Sequence, residues 1–285
     1  MMKIGTCVGF SNMEDIEAKL AALRHHGFST CQLISWNPQV WTDGNAAVLK
    51  ELLEKYGITV SAFWCGWEGP SDWNFYTGQL TLGLVPPEYR AARVKNLCDG
   101  ADFAHKLGIT DVVTHMGFIP ENPYDPNYSG FCIAVRTVAR HLKENGQYLL
   151  FETGQETPVT MLRCFETVGC DNLAVNLDTA NLILYGKANP VDSLEVFGKY
   201  VRNLHAKDGR WPVNGHDLGE ETKLGEGKVD FPALFRKLRE LGYDGHVTIE
   251  REIDGAQQLA DILEGREYLQ AIIDEVYGKE GTKVC

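Results

Sequence analysis

The chain is short of positive charge. It has 27 Lys and Arg against 39 Asp and Glu, a formal net charge of -12, whereas phosphate backbones and anionic membranes attract basic surfaces. That balance argues against nucleic acid or a lipid surface as partner and leaves a small molecule. No apolar run approaches the roughly 20 residues of a membrane helix, and none of the signs of a secretory leader precede Lys3-Ile-Gly-Thr-Cys-Val-Gly9. The eight cysteines (Cys7, Cys31, Cys65, Cys98, Cys132, Cys164, Cys170 and Cys285) include no Cys-x-x-Cys pair, which removes zinc-ribbon and thioredoxin-like designs. A cytoplasmic protein with reduced thiols is expected. A doubly wound open sheet lacks support, because no Gly-x-Gly-x-x-Gly follows the first apolar run. No linker or low-complexity segment interrupts the 285 residues.

What is present is a regular alternation of short apolar runs and helical patterns. The runs fall at Lys3 to Gly9, Thr30 to Ser35, Ile58 to Trp64, Asp111 to His115, Tyr148 to Glu152, Leu173 to Asp178, Val201 to His205 and His246 to Glu250. Helices are expected after Ser11 or Asn12 as far as His26, then over about 44–56, 87–106, 128–145, 158–168, 192–200, 231–241 and 256–277. Gly57 and Gly242 stand where C-terminal glycines belong, and Asp230 with Pro232 marks a helix start. Eight strand-then-helix units predict an α/β fold, a (β/α)8 TIM barrel forming one domain over residues 1–285.

Four of the eight strands end on a potential metal ligand. Side chains alternate along a strand, so Glu152, Asp178, His205 and Glu250 share a face with Leu150, Asn176, Asn203 and Thr248. Phe151, Leu177, Leu204 and Ile249 face the other way. In a barrel the strand C-termini converge on one mouth. Three carboxylates gathered there would raise one another's pKa values, and a divalent cation is the simplest compensation. The donors are hard and oxygen-rich, which favours Mn²⁺, with Mg²⁺, Co²⁺ or Zn²⁺ as alternatives. A lone acid or His at a strand end is more often a salt-bridge partner or core group, but four in phase on successive strands are harder to explain that way.

The segments Phe-Glu152-Thr-Gly, Asn-Leu-Asp178-Thr-Ala-Asn, Asn-Leu-His205-Ala-Lys-Asp-Gly, Leu224-Gly-Glu-Gly-Lys-Val-Asp-Phe and Thr-Ile-Glu250-Arg-Glu resemble the xylose-isomerase-like TIM barrels. That group holds sugar-phosphate isomerases and epimerases, inosose isomerases and dehydratases, and the endonuclease IV type. The resemblance covers nearly the whole chain and implies a metal site of Glu152, Asp178, His205 and Glu250, with the two glutamates as acid/base pair. Many members carry His three residues after the ligand Asp, where this chain has Asn181. Asn donates to a sugar hydroxyl but ligates metal poorly, which weakens the multi-zinc nuclease arrangement and places an abasic-site endonuclease behind sugar chemistry.

The implied activity is a divalent-metal-dependent isomerase or epimerase of a keto-sugar, keto-polyol or sugar phosphate. Lewis acidity toward a carbonyl and its neighbouring hydroxyl acidifies the adjacent C–H, and Glu152 or Glu250 removes that proton to give an enediolate. Return to the opposite face epimerises, return to the adjacent carbon isomerises, and loss of a β-hydroxyl makes a dehydratase (a lyase). Substrate contacts are expected from His115, Asn181, Lys207, Glu156, Trp64 and Trp67. All but Asn181 have a plainer alternative: His115 bonded to a loop carbonyl, Lys207 in solvent, Glu156 in the first turn of the fifth helix, the tryptophans at a subunit interface of a homo-oligomer. Asp208 is expected behind His205 or another ligand as support. The Gly-rich stretch 209–227, with Arg210, Lys223 and Lys228 in or beside it, leaves a substrate phosphate open.

Overall fold

The computed structural model describes residues 2–278. Eight strands close into a parallel barrel: β1 (Ile4–Gly9), β2 (Thr30–Ser35), β3 (Thr59–Cys65), β4 (Asp111–Thr114), β5 (Tyr148–Glu152), β6 (Leu173–Asp178), β7 (Val201–Ala206) and β10 (His246–Ile249), with β10 pairing both β7 and β1. The shell helices are α1 (Ile16–His25), α2 (Asp43–Tyr56), α4 (Pro87–Lys106), α5 (Pro126–Glu144), α6 (Pro158–Val168), α8 (Pro190–Phe197), α9 (Phe231–Glu240) and α10 (Ala256–Tyr277). Two one-turn helices, α3 (Gly78–Thr81) and α7 (Asn181–Leu184), sit in the loops after β3 and β6. The antiparallel pair β8 (Asp208–Arg210) and β9 (Glu220–Thr222) stands apart from the barrel. No described helix is long and apolar enough to cross a membrane.

The local chemistry accounts for the boundaries. Asp230 accepts from the Ala233 amide at the start of α9, and Gly57 closes α2 in the left-handed region at φ 61°. The helix expected at 192–200 instead begins at Pro190, because Asn189 accepts from the amides of Val191 and Asp192, and it tightens into a 3₁₀ turn over 198–200. The two faces of each strand enter different cores. Phe151, Leu177, Leu204 and Ile249 pack outward against the helices, while Leu150 lies inside the barrel with Ala62, Trp64, Val113 and Ala174. Asp178 lies level with His205 across the β6–β7 ladder, and Thr248 with His205 across β7–β10. Glu152 pairs with Asn176, two residues before Asp178, and Glu250 lies two residues past Thr248, so it is the stagger of the tilted strands that brings the four polar ends together. Cysteines 7, 31, 65, 98, 132, 164 and 170 carry free thiols, and Cys285 lies outside the described residues.

Candidate metal centre

Glu152 ends β5, Asp178 ends β6, His205 is the penultimate residue of β7, and Glu250 directly follows β10. One donor atom from each lies within 4.8 Å of the other three. His205 Nδ1 is 3.4 Å from Glu152 Oε1, 3.7 Å from Asp178 Oδ2 and 3.3 Å from Glu250 Oε2. Glu152, Asp178 and His205 are sealed from solvent. His205 Nδ1 and Asp178 Oδ2 have no hydrogen-bond partner among the described residues. Buried polar atoms are nearly always partnered, so two bare donors facing each other fit a cation held between them.

Gln32, from β2 across the barrel, prepares the imidazole. His205 Nε2 donates to its amide oxygen at 2.6 Å, which leaves Nδ1 of the neutral ring as a lone-pair donor facing the acids. Gln32 Nε2 in turn reaches Asn176 Oδ1 at 3.5 Å. Without a cation the acids act on this ring themselves. Burial disfavours its charge, yet Glu152 and Glu250 hold its pKa well above the ordinary value. Asp178 is pushed up to about 7, chiefly by burial, against the pull of Lys207.

Lys207 sits inside this cluster, fully buried rather than in solvent. Its Nζ donates to Glu252 Oε2 at 2.6 Å, Glu250 Oε2 at 3.2 Å and Asn181 Oδ1 at 3.3 Å. Burial disfavours the ammonium, but Glu250, Asp178 and Glu252 keep its pKa well above the usual lysine value. Asn181 opens α7; its amide donates to Asp178 Oδ1 at 2.7 Å and its Nδ2 to Glu152 Oε1 at 3.4 Å.

The opposite wall of the mouth is aromatic. Trp64 Nε1 donates to Glu152 Oε2, and His115 Nε2 lies 3.4 Å from Glu152 Oε1. Trp36 packs against Trp64 with centroids 4.9 Å apart, and Trp73 against His115 at 5.1 Å. Together they bound a cavity of about 940 Å³ that also opens onto Glu250, Glu252 and Asn181.

Three expected positions need correction. Asp208 does not reach His205: its carboxylate accepts from the amides of Gly209, Gly225, Gly227 and Val229 and so ties down the loop after β7. A Cβ on Gly227 would stand 2.1 Å from Asp208 Oδ1, so this clasp needs a glycine there. Trp67 does not line the cavity; it lies behind Trp36 and Trp64 with the Arg93 guanidinium 5.1 Å from its ring. Glu156, expected to touch substrate, does not line the cavity; it precedes α6, and both carboxylate oxygens are buried without a partner among the described residues. Burial raises its pKa to about 7. Gln32, Trp36 and Trp73 belong to the site, though the sequence marked none of them as a site residue. Arg210, Lys223 and Lys228 do not line the cavity; Lys223 bonds Glu264, and Arg210 lies 3.9 Å from Glu220.

The barrel and this constellation place the chain in a class. The model of the xylose isomerase-like TIM barrel matches residues 20–272, and the chain belongs to that family. A xylose isomerase domain protein from Planctomyces limnophilus shares 33% identity and superposes with a TM-score of 0.91 over 98% of this chain and 99% of its own. Inosose dehydratase of Clostridium botulinum is 29% identical over 94% of this chain and 96% of its own length. The structure of an L-ribulose 3-epimerase, 19% identical, superposes over the whole of both chains with a TM-score of 0.73 and shares the fold. The relatives and fold neighbours named for an activity are enzymes of sugars or sugar-like polyols.

Proposed function

We propose that the chain is a divalent-metal-dependent isomerase or epimerase of a keto-sugar or keto-polyol, with Glu152, Asp178, His205 and Glu250 as ligands and Glu152 and Glu250 as acid/base pair. The observation that carries this is the meeting of four donor atoms within 4.8 Å, of which Glu152 and Glu250 line an aromatic-walled cavity and Asp178 and His205 are buried beneath it. Mn²⁺ is the first choice for three carboxylates and one imidazole. When bound, a divalent cation supplies Lewis acidity toward a carbonyl and the hydroxyl beside it.

The chain's own groups handle the proton. Glu152 and Glu250 enter from β5 and from the end of β10, with β6 and β7 between them, so their carboxylates flank the space above Asp178 and His205. One takes the proton from the carbon next to the carbonyl, and the other returns one to the opposite face or to the neighbouring carbon. The Trp64 N–H fixes the carboxylate plane of Glu152. Lys207 holds Glu250 and limits its mobility. Asn181 and His115 stand beside Glu152 with polar atoms that can meet sugar hydroxyls, and the indoles of Trp36, Trp64 and Trp73 exclude water from one side.

A dehydratase is the second reading, favoured by full-length similarity to inosose dehydratase. It needs the same first proton transfer and differs in expelling a β-hydroxyl. Incubating Mn²⁺-loaded protein with a panel of ketoses and keto-inositols in D₂O separates the two. Deuterium incorporation with altered stereochemistry supports the epimerase, and loss of water supports the dehydratase. Absence of exchange across the panel, together with nicking of abasic DNA, would overturn both.

A further inference from the structure

The cavity is larger than the metal centre needs. At about 940 Å³ it reaches the upper end of the roughly 300–1,000 Å³ that encloses drug-sized ligands, and a bare six-carbon sugar on the four ligands leaves most of it empty. The extra space has a direction. Beyond the acids the lining passes Cys7 and Gly9 of β1, then Leu23 of α1, Phe28, and Leu259 and Ile262 of α10. Here the helical shell is loose. α1 packs on α2 and α10 on α9, while Arg266 of α10 spans the gap, donating to the His26 carbonyl oxygen and covering the Phe28 ring at 4.9 Å. Gly9, at the C-terminal end of β1, is the sill between mouth and gap. A Cβ built there meets nothing within 4 Å, so the missing side chain leaves the way open.

The charge of the lining speaks as clearly. Glu152, Glu250, Glu252 and Asp254 face the cavity. Of the two long cations that join them, Arg251 is paired with Asp261 at 2.8 Å and Glu221 at 3.1 Å, and Lys19 donates to the Gly9 carbonyl at 2.7 Å. A phosphate dianion entering this mouth meets four carboxylates, and the one lining ammonium, that of Lys19, stands exposed on α1 at the rim.

We propose that the substrate is an uncharged sugar carrying an apolar substituent, a glycoside rather than a free sugar or a sugar phosphate, with the sugar ring over the four ligands and the substituent crossing Gly9 into the apolar gap between α1 and α10. The proposal rests on the keto-sugar chemistry assigned to the same site, and its test keeps the two apart. Three compounds are compared with Mn²⁺-loaded protein in D₂O: a keto-sugar, its phosphate monoester, and the same keto-sugar bearing a phenyl group. The expected kcat/KM for C–H exchange is at least tenfold higher for the phenyl compound than for the free sugar, with the phosphate ester slowest. Equal or better exchange on the free sugar or the ester overturns the proposal and leaves the enzymatic assignment standing. Exchange on none of the three overturns the enzymatic assignment, and the proposal with it.

Two variants then locate the substituent. Gly9→Leu raises a barrier at the sill, and Leu259→Gln, on a surface-facing position of α10 that is 39% exposed, makes the gap polar without loading the core. In each the ratio of phenyl-sugar to free-sugar kcat/KM falls at least fivefold. An unchanged ratio in both variants overturns the gap as the binding site.

Discussion

The two sides of the barrel mouth are built on different plans. On the side of β5, β6, β7 and β10, charged groups stand at or just past the strand ends and hold one another: Asn181 joins Glu152 to Lys207, and Lys207 meets Glu250 and Glu252. On the side of β2, β3 and β4, the wall is aromatic, and Trp36 and Trp73 come from loops and are 37% and 40% exposed. A rigid strand end holds a charge where chemistry needs it within a fraction of an ångström, while a loop-borne indole supplies area and tolerates variation. The first side is suited to reaction and the second to choosing what reacts.

Breaking the charged side should have the largest effect. Glu250→Gln removes a ligand and an acid/base group together. Turnover falls by about 10²–10⁴-fold and Mn²⁺ affinity falls with it, read by steady-state rates and isothermal titration. Full activity in this variant would remove Glu250 from both roles.

Glu156 tests burial without partners, against the partnered acids of the centre. Its carboxyl titrates at an ordinary 4.5 in the unfolded chain and at about 7 when buried. Below pH 4.5 both states hold the proton and nothing is lost. As pH rises from 4.5 to 7 the unfolded chain releases it first, so folding stability falls, and above 7 the full cost is present. At about 1.4 kcal/mol per unit, this is on the order of 3 kcal/mol. Glu156→Gln should therefore match the parent near pH 4.5 and exceed its stability by up to that amount at pH 8.5. Denaturant melts at the two pH values measure it, and a gain at low pH instead would reverse the assignment.

Gln32→Leu sharpens the contrast from across the barrel. It keeps all four ligands but frees the His205 ring, so Mn²⁺ affinity should drop about 10- to 100-fold. Smallest is Trp73→Ala on the aromatic side: KM for a good sugar substrate rises about tenfold, while Mn²⁺ affinity stays within twofold. A matching loss of metal affinity would show that the two sides do not act separately.

Much of this was legible in the alternation of strand side chains. β2, β5 and β6 run over the expected residues, and the inward phase of Glu152, Asp178, His205 and Glu250 follows from Leu150, Asn176, Asn203 and Thr248. The same phase rule explains one misplacement, and its limit at a strand end explains another. Asp208 is three residues past His205, out of phase with it, and turns away. Trp67 lies two residues past the end of β3, where alternation no longer applies, and it joins the inner cluster of Ala62 and Trp64 behind the cavity wall instead of lining it. The partnership of Gln32 with His205 spans 173 residues, and its one sign in the sequence is an amide in the middle of an apolar strand. The β8–β9 pair escaped because its strands are three residues each within a Gly-rich stretch whose shape comes from the Asp208 clasp, not from periodicity.

Lys207 gives the centre a preference of its own. Glu152, Asp178 and Glu250 carry three negative charges when ionised, and the buried ammonium cancels one of them; Glu252 also bonds Lys207 at 2.6 Å, but its side chain is 61% exposed and solvent screens its charge. A divalent ion brings the sealed group to neutrality. A monovalent ion leaves one negative charge in a medium of low polarizability, and a trivalent ion leaves one positive charge there. The centre thus discriminates by valence as well as by donor type, and Lys207→Met should move its preference from Mn²⁺ toward a lanthanide of similar radius.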